Sequence, residues 1–253
     1  MAVTPPPGGH GTGTVAAAPR PPWRVAAFVL AVVAIVLLTI VLAAAARDRG
    51  PGDTRNVSVA ADSVRTVDIQ GPPGQLIITA ASTSRVTLSG PVHWTGRSGV
   101  IVTGPRLVNG VLHLAYRCAA HSPCTGRLRL VVPRHCGIVL AQPSGHVIVT
   151  GLAAPLRITA RSADISAAGL RSPSLVASIT SGHLSAWFVS PPGRLGLTLV
   201  SAQAALHLPA NAAYRVSQQV TSGYVHAGIP QASTAKRTIT ARIDSGELEL
   251  LTR

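Results

Sequence analysis

Cys118, His121, Cys124, His135 and Cys136 gather five sulfur and nitrogen donors in one short stretch of this chain. Two thiolates and two imidazoles can hold zinc tetrahedrally, but the spacing matches no standard finger. In an oxidising compartment two of the three cysteines would pair instead. A second group is a polar column, His146, Asp164 and His183, which falls on equivalent positions of a repeat described below. Two imidazoles and a carboxylate can bind a divalent metal, though a solvated ladder on a strand face accounts for them equally well. Sugar-cleaving sites require clustered carboxylates. Residues 144–253 contain only Asp164, Asp244, Glu247 and Glu249, three of them near the C-terminal edge. There is no G-x-S-x-G nucleophile elbow. These residues point to no catalytic group, no resident metal and no cofactor, so the chain reads as a non-enzyme.

Charge narrows the partners. The chain carries +14, yet only Arg20 and Arg24 precede residue 47, so the remaining 20 basic and 8 acidic side chains leave +12 beyond it. The arginines are scattered singly and no aromatic platform accompanies them, which argues against nucleic acid. Diffuse positive charge suits solubility and weak contact with anionic envelope polymers or lipid headgroups. Lys236 is the one lysine; with abundant Ala, Gly and Pro, this usage suggests a G- and C-rich bacterial genome.

The elements that would position these residues are short strands. Charged residues make up 12% and aromatics 3% of the chain, so a core must come from Val, Ile, Leu and Ala. Alternating runs such as Val67–Ile69, Leu76–Thr79, Val100–Thr103 and Val111–Ala115 are separated by Gly, Pro and Ser, the pattern of many short strands.

From residue 138 the chain repeats. Ser144, Ser162, Ser181, Ser201, Ser222 and Ser245 recur at intervals of 18, 19, 20, 21 and 23 residues, followed by Gly four times and Ala twice. Apolar residues dominate positions −6, −4 and −2 before each serine and +3 and +5 after it. Alternation turns one strand face inward. The change from even to odd offsets requires the Ser-Gly step to act as a corner or bulge, a geometry that suits glycine. A period near 20 with two strands per unit predicts an all-β, β-solenoid-like stack, each coil burying its face on its neighbours, with a β-sandwich as the runner-up. Stacking in chain order would seat Leu197 of the fourth coil between the third and fifth, with Arg194 exposed.

Four segments follow. Residues 1–24 are a Pro- and Gly-rich arm that cannot bury a core. Val25–Ala46 is uncharged over 22 residues, and at 1.5 Å each spans roughly 33 Å, enough for an uncleaved transmembrane helix. A cleaved signal peptide, with small residues at Ala43–Ala46, is the competing reading, though signal cores usually run about 7–15 residues. Residues 47–55 form a polar linker, and 56–253 the β-repeat domain, clearest over 138–253.

The stretches "SGHVIVTGLAAPLRITARSADISAAGL", "LPANAAYRV" and "RTITARIDSGELEL" resemble the bacterial putative-adhesin, β-strand-repeat family of unknown function. The likeness is clear over about 125–253 and weaker over 55–124. Its repeating unit is Ser-Gly-Asp followed by alternating hydrophobics. This chain departs at the Asp position, which holds His146, Asp164, His183, Gln203, Tyr224 and Glu247. The resemblance implies a β-solenoid-like extracellular domain behind an N-terminal anchor. It also implies that Cys118 and Cys124, just ahead of the repeats, form a disulfide, leaving Cys136 free or buried. Closing a loop of ~7 residues would stabilise by roughly 2–2.5 kcal/mol on the chain-entropy argument. A literal positive-inside count favours a cytoplasmic C-terminal side, because Arg47, Arg49, Arg55 and Arg65 outnumber Arg20 and Arg24. Long domains translocate largely regardless of such charge. Cysteines and resemblance together place the N-terminus in the cytoplasm and the domain outside the plasma membrane. The expected function is a structural, adhesive or binding module of the cell envelope. The alternative is a regulatory membrane protein with an extracytoplasmic sensor, which the motif-free cytoplasmic arm disfavours.

Overall fold

The computed structural model describes residues 53–54, 56–95, 100–119 and 123–253. The apolar segment 25–46, the N-terminal arm and His121 lie outside them, and no described helix is long and apolar enough to cross a membrane. The described chain is all-β. Nine shorter strands come first: β1 (Asp53–Thr54), β2 (Val57–Ala60), β3 (Thr66–Gln70), β4 (Gly74–Ala81), β5 (Arg85–Ser89), β6 (Pro91–Trp94), β7 (Val100–Val108), β8 (Val111–Cys118) and β9 (Cys124–Pro133). Six long ones follow: β10 (Gly137–Thr150), β11 (Leu156–Leu170), β12 (Ser174–Phe188), β13 (Arg194–Leu208), β14 (Tyr214–Gly228) and β15 (Arg237–Thr252).

Each serine-framed repeat is one long strand that bends at the serine, rather than two short strands, because the ladder continues through the corner. These strands pair parallel and in register. Ser144 stands opposite Ser162, Ser162 opposite Ser181, Ser181 opposite Ser201, and Ser222 opposite Ser245. Burial shows how the frame shifts at the serine. In β11, Leu156, Ile158 and Ala160 are buried, Arg161 and Ser162 both face out, and Ala163, Ile165 and Ala167 are buried again. Two successive outward residues reset the alternation. At Gly182 the step has φ +112°, and a Cβ there would sit 2.2 Å from the Ala163 carbonyl oxygen. Glycine is therefore required at that corner.

Two further layers, built from paired short strands, precede the serine frame. β3 and β4 lie along the two halves of β10, with Gly74 opposite Gly145; β8 and β9 lie along β3 and β4, with Gly126 opposite Gly74. Antiparallel strands cover this end, β7 on β8 and β5 and β6 on β9. The strand ends and connections join the stacking: Leu170, Phe188 and Leu208 at the ends of β11, β12 and β13 and Leu152 in the connection after β10 are fully buried, and Arg171 N–H donates to the Leu152 carbonyl at 2.8 Å.

The order of the last layers departs from the chain-order expectation. β13 pairs with β15, and β14 lies outside β15 at the edge. Leu197 is buried and Arg194 exposed, but the neighbours of Leu197 are Ala177 of the third repeat and Ala241 of the sixth. Composition explains the exchange. The inward set of β15 is Ile239, Ala241, Ile243, Leu248 and Leu250, all buried, whereas β14 offers Val216, Gln218, Val220, Val225 and Ala227. An edge layer covers only one side of its inward residues. Burying the wholly apolar repeat and leaving the one with Gln218 at the rim minimises the cost of desolvating an amide.

Candidate functional site

Outward positions two and four residues after each serine share one face of the stack, and that face gathers most of the polar residues singled out from the sequence. In spatial order its first column reads Arg127, Gln75, His146, Asp164, His183, Gln203, Glu247 and Tyr224. The second reads Arg129, Ile77, Ile148, Ser166, Ser185, Ala205, Glu249 and His226.

The first column is a hydrogen-bonded ladder. Asp164 approaches His183 Nδ1 at 3.0 Å and His146 Nδ1 at 3.7 Å, all three well exposed. Glu247 accepts hydrogen bonds from Gln203 Nε2 at 3.4 Å and from the Tyr224 hydroxyl. Exposed pairs of this kind contribute little stability, about 0–1 kcal/mol. Their effect is to order the side chains along the face. A shallow groove of about 380 Å³ runs between the columns, lined by His183, Ser185, Gln203, Ala205, Glu247 and Glu249. Beside it the Trp187 ring stacks on His207, centroids 4.9 Å apart and planes 4° from parallel.

Among the described residues the cysteines form no common centre with the histidines. Cys118 and Cys124 are joined by a disulfide, Cα atoms 5.4 Å apart. It closes the excursion between β8 and β9, where the neighbouring layer needs only Gly71, Pro72 and Pro73 to pass between its halves. Cys136 is a buried free thiol whose Sγ donates to the Val64 carbonyl at 3.2 Å, and burial pushes its pKa up. Among the described residues no three His, Cys, Asp or Glu side chains are placed to hold a metal ion. The repeat serines Ser162, Ser181, Ser201, Ser222 and Ser245 are exposed at their corners, with Ser144 half-buried, and none has a histidine partner among the described residues. The face can bind and pack; among the described residues its serines have no histidine partner, and its two neighbouring carboxylates, Glu247 and Glu249, line the groove.

Arg127, Arg129, Gln75 and Ile77 belong to this face and stand outside the serine frame. A signal for them exists. Gly74-Gln75-Leu76-Ile77-Ile78 and Gly126-Arg127-Leu128-Arg129-Leu130 repeat the Gly-polar-apolar-x-apolar order of Gly145-His146-Val147-Ile148-Val149. Only the serine is missing.

The chain is similar to a putative cell adhesion protein from Clostridium sporogenes ATCC 15579, with TM-score 0.47 and 9% identity over 80% of this chain and 100% of that one. It is similar to a putative adhesin from Bacteroides fragilis NCTC 9343 (TM-score 0.37, 8% identity, 79% and 97% covered) and to one from Parabacteroides distasonis ATCC 8503 (TM-score 0.30, 10% identity, 79% and 98% covered). No known family's sequence profile matches the chain. No curated protein matches it either.

Proposed function

We propose that this chain is a non-catalytic binding or adhesive module of the bacterial cell envelope, a β-solenoid-like rod held at the plasma membrane by residues 25–46 and exposed outside the cytoplasm. The observation that carries the reading is the polar face itself. Side chains from seven successive layers, Arg127 to Glu247, are brought into two straight columns by in-register pairing. A long, rigid array of this kind recognises an extended or repeated surface and contains no reaction centre. The Cys118–Cys124 disulfide supports an oxidising compartment. Net positive charge beyond residue 47 favours contact with anionic wall polymers or headgroups. The experiment is protease treatment of intact cells. Digestion of the region after Arg47 with the N-terminal arm spared supports the orientation. A C-terminal domain protected in cells whose envelope admits the protease overturns it.

A further inference from the structure

The polar face carries opposite charge at its two ends. From β9 to β15 the first column reads Arg, Gln, His, Asp, His, Gln, Glu: Gln75 and Gln203 lie equally far from Asp164, as do His146 and His183, while the ends carry opposite charge. The second column behaves likewise, with Arg129 at one end, Glu249 at the other and the uncharged Ile77, Ile148, Ser166, Ser185 and Ala205 between. Arg127, Arg129 and Glu249 have no hydrogen-bond or ion-pair partner among the described residues. Charge is thus segregated along the rod. The basic pair and the acidic pair stand six layers apart, roughly 29 Å at ~4.8 Å per layer.

Resting on the reading of this face as an adhesive surface, we infer that the extended surface it recognises is a second copy of the chain, packed face to face with the two stacking axes antiparallel. The two-fold axis lies in the interface along β11. It brings Arg127 and Arg129 of one copy onto Glu247 and Glu249 of the other, and the reverse at the opposite end. An isologous contact needs such complementarity between the two ends of the patch. Ser166 lies at the axis opposite its own copy. The two Asp164 carboxylates also meet at the axis, a like-charged contact that opposes the pairing at the ends, each flanked by His146 and His183 of its own chain at 3.7 and 3.0 Å. Half-buried Ile77 faces the small Ala205, and Ile148 faces Ser185, so bulk on one side meets space on the other. Strand directions then run roughly alongside each other across the interface, as in aligned sheet packing. The opposite outward face also carries charge beside its central column, with Arg117 in the β8 layer, Arg157 and Arg161 in the β11 layer and Asp244 in the β15 layer. Its central column reads Ala115, Gln70, Ala141, Thr159, Ser178, Thr198, Arg242 and Gln219, with a single charge near one end.

The test uses the full-length chain in its own membranes, cross-linked with a bis-maleimide of short reach. Ser166→Cys should give a covalent dimer, and Ser178→Cys, on the other face, should not. In the Ser166→Cys background, Arg127→Glu with Arg129→Glu should cut cross-linking by about tenfold or more, because both ends of the interface become like-charged. Glu247→Arg with Glu249→Arg should do the same. Co-expressing the two charge-reversed chains should restore cross-linking between them, which unfolded variants could not do. No dimer from Ser166→Cys overturns the inference. A dimer that survives both reversals also overturns it and moves self-association elsewhere, for example to the uncovered edge of β14.

Discussion

Leu197 of the fourth repeat stands in register with Ala241 of the sixth, and Gln218, its counterpart in the fifth, lies one strand further out. The chain passes over its next neighbour to do this. The eight residues between β14 and β15 give it length to return and slip between β13 and β14. The exchange makes two positions with the same place in the repeat behave differently.

Replacing Leu197 by Asp buries a charge between Ala177 and Ala241 with no partner, and should destabilise by about 3–5 kcal/mol. Gln218→Asp changes an exposed rim position and should cost no more than about 1 kcal/mol. Arg194→Ser should fall within about 0.5 kcal/mol of the parent. Chemical denaturation of the three variants measures the order. Equal losses at 197 and 218 would mean that the layers stack in chain order after all.

The glycine corners make a second contrast. Gly182 has φ +112° and would drive a Cβ to 2.2 Å from the Ala163 carbonyl oxygen, while the nearest atom to a Cβ at Gly193 is the Pro173 carbonyl oxygen at 3.5 Å. Gly182→Ala should therefore cost at least about 2 kcal/mol through backbone strain and steric overlap. Gly193→Ala should be nearly neutral, within about 0.5 kcal/mol. Thermal unfolding separates them, and a tolerated Gly182→Ala would show that the corner can relax.

These contrasts also mark where sequence pattern suffices. Period and alternation specify which residues of β10 to β13 face inward, because each such layer is covered on both sides and any slip would expose a whole apolar set. The same pattern is silent on the order of β14 and β15, since both repeats carry compatible phases. Only the relative cost of burying Gln218 decides it. The layers at Gly74 and Gly126 lack the serine, and one is interrupted by the excursion that holds Cys118 and Cys124, so the frame stops short of them. Half of the complementary charge on the polar face therefore sits outside the frame. Gln142 is a further surprise. It fills an inward position usually apolar, buried with Nε2 donating to the Pro72 and Ser144 carbonyls at 2.9 and 2.8 Å. Pattern alone cannot anticipate a local bond of that kind.

The disulfide offers a third measurement. With Cys118 and Cys124 paired and Cys136 buried, thiol titration of the unfolded chain should find one free thiol, rising to three after reduction. Cys118→Ser with Cys124→Ser should lower stability by about 2 kcal/mol, the entropy of a small closed loop. The loss should appear without a change in the slope of unfolding against denaturant if the layers themselves stay intact. Three thiols before reduction would remove the bridge from the account.

Tyr214 gives a test in alkaline solution. Its ring is fully buried, its hydroxyl has no hydrogen-bond partner among the described residues, and burial pushes its pKa from 10.0 up to about 12, with Arg237 opposing the shift. The folded state thus holds the phenol proton more tightly than the unfolded state does. The resulting stability is fully present below pH 10 and is lost as pH rises from about 10 towards 12. The chain has three tyrosines, and comparison with Tyr214→Phe cancels the contribution of other groups, including the buried Cys136 thiol, whose pKa burial also raises. Tyr214→Phe removes both the ionisation and an unsatisfied buried hydroxyl. At neutral pH the variant should equal or exceed the parent by up to about 1 kcal/mol. Between pH 10 and 12 it should lose less stability than the parent, so the gap between the two widens with pH. Denaturant midpoints recorded across that range measure the gap, and parallel curves would show that Tyr214 finds a partner or reaches solvent.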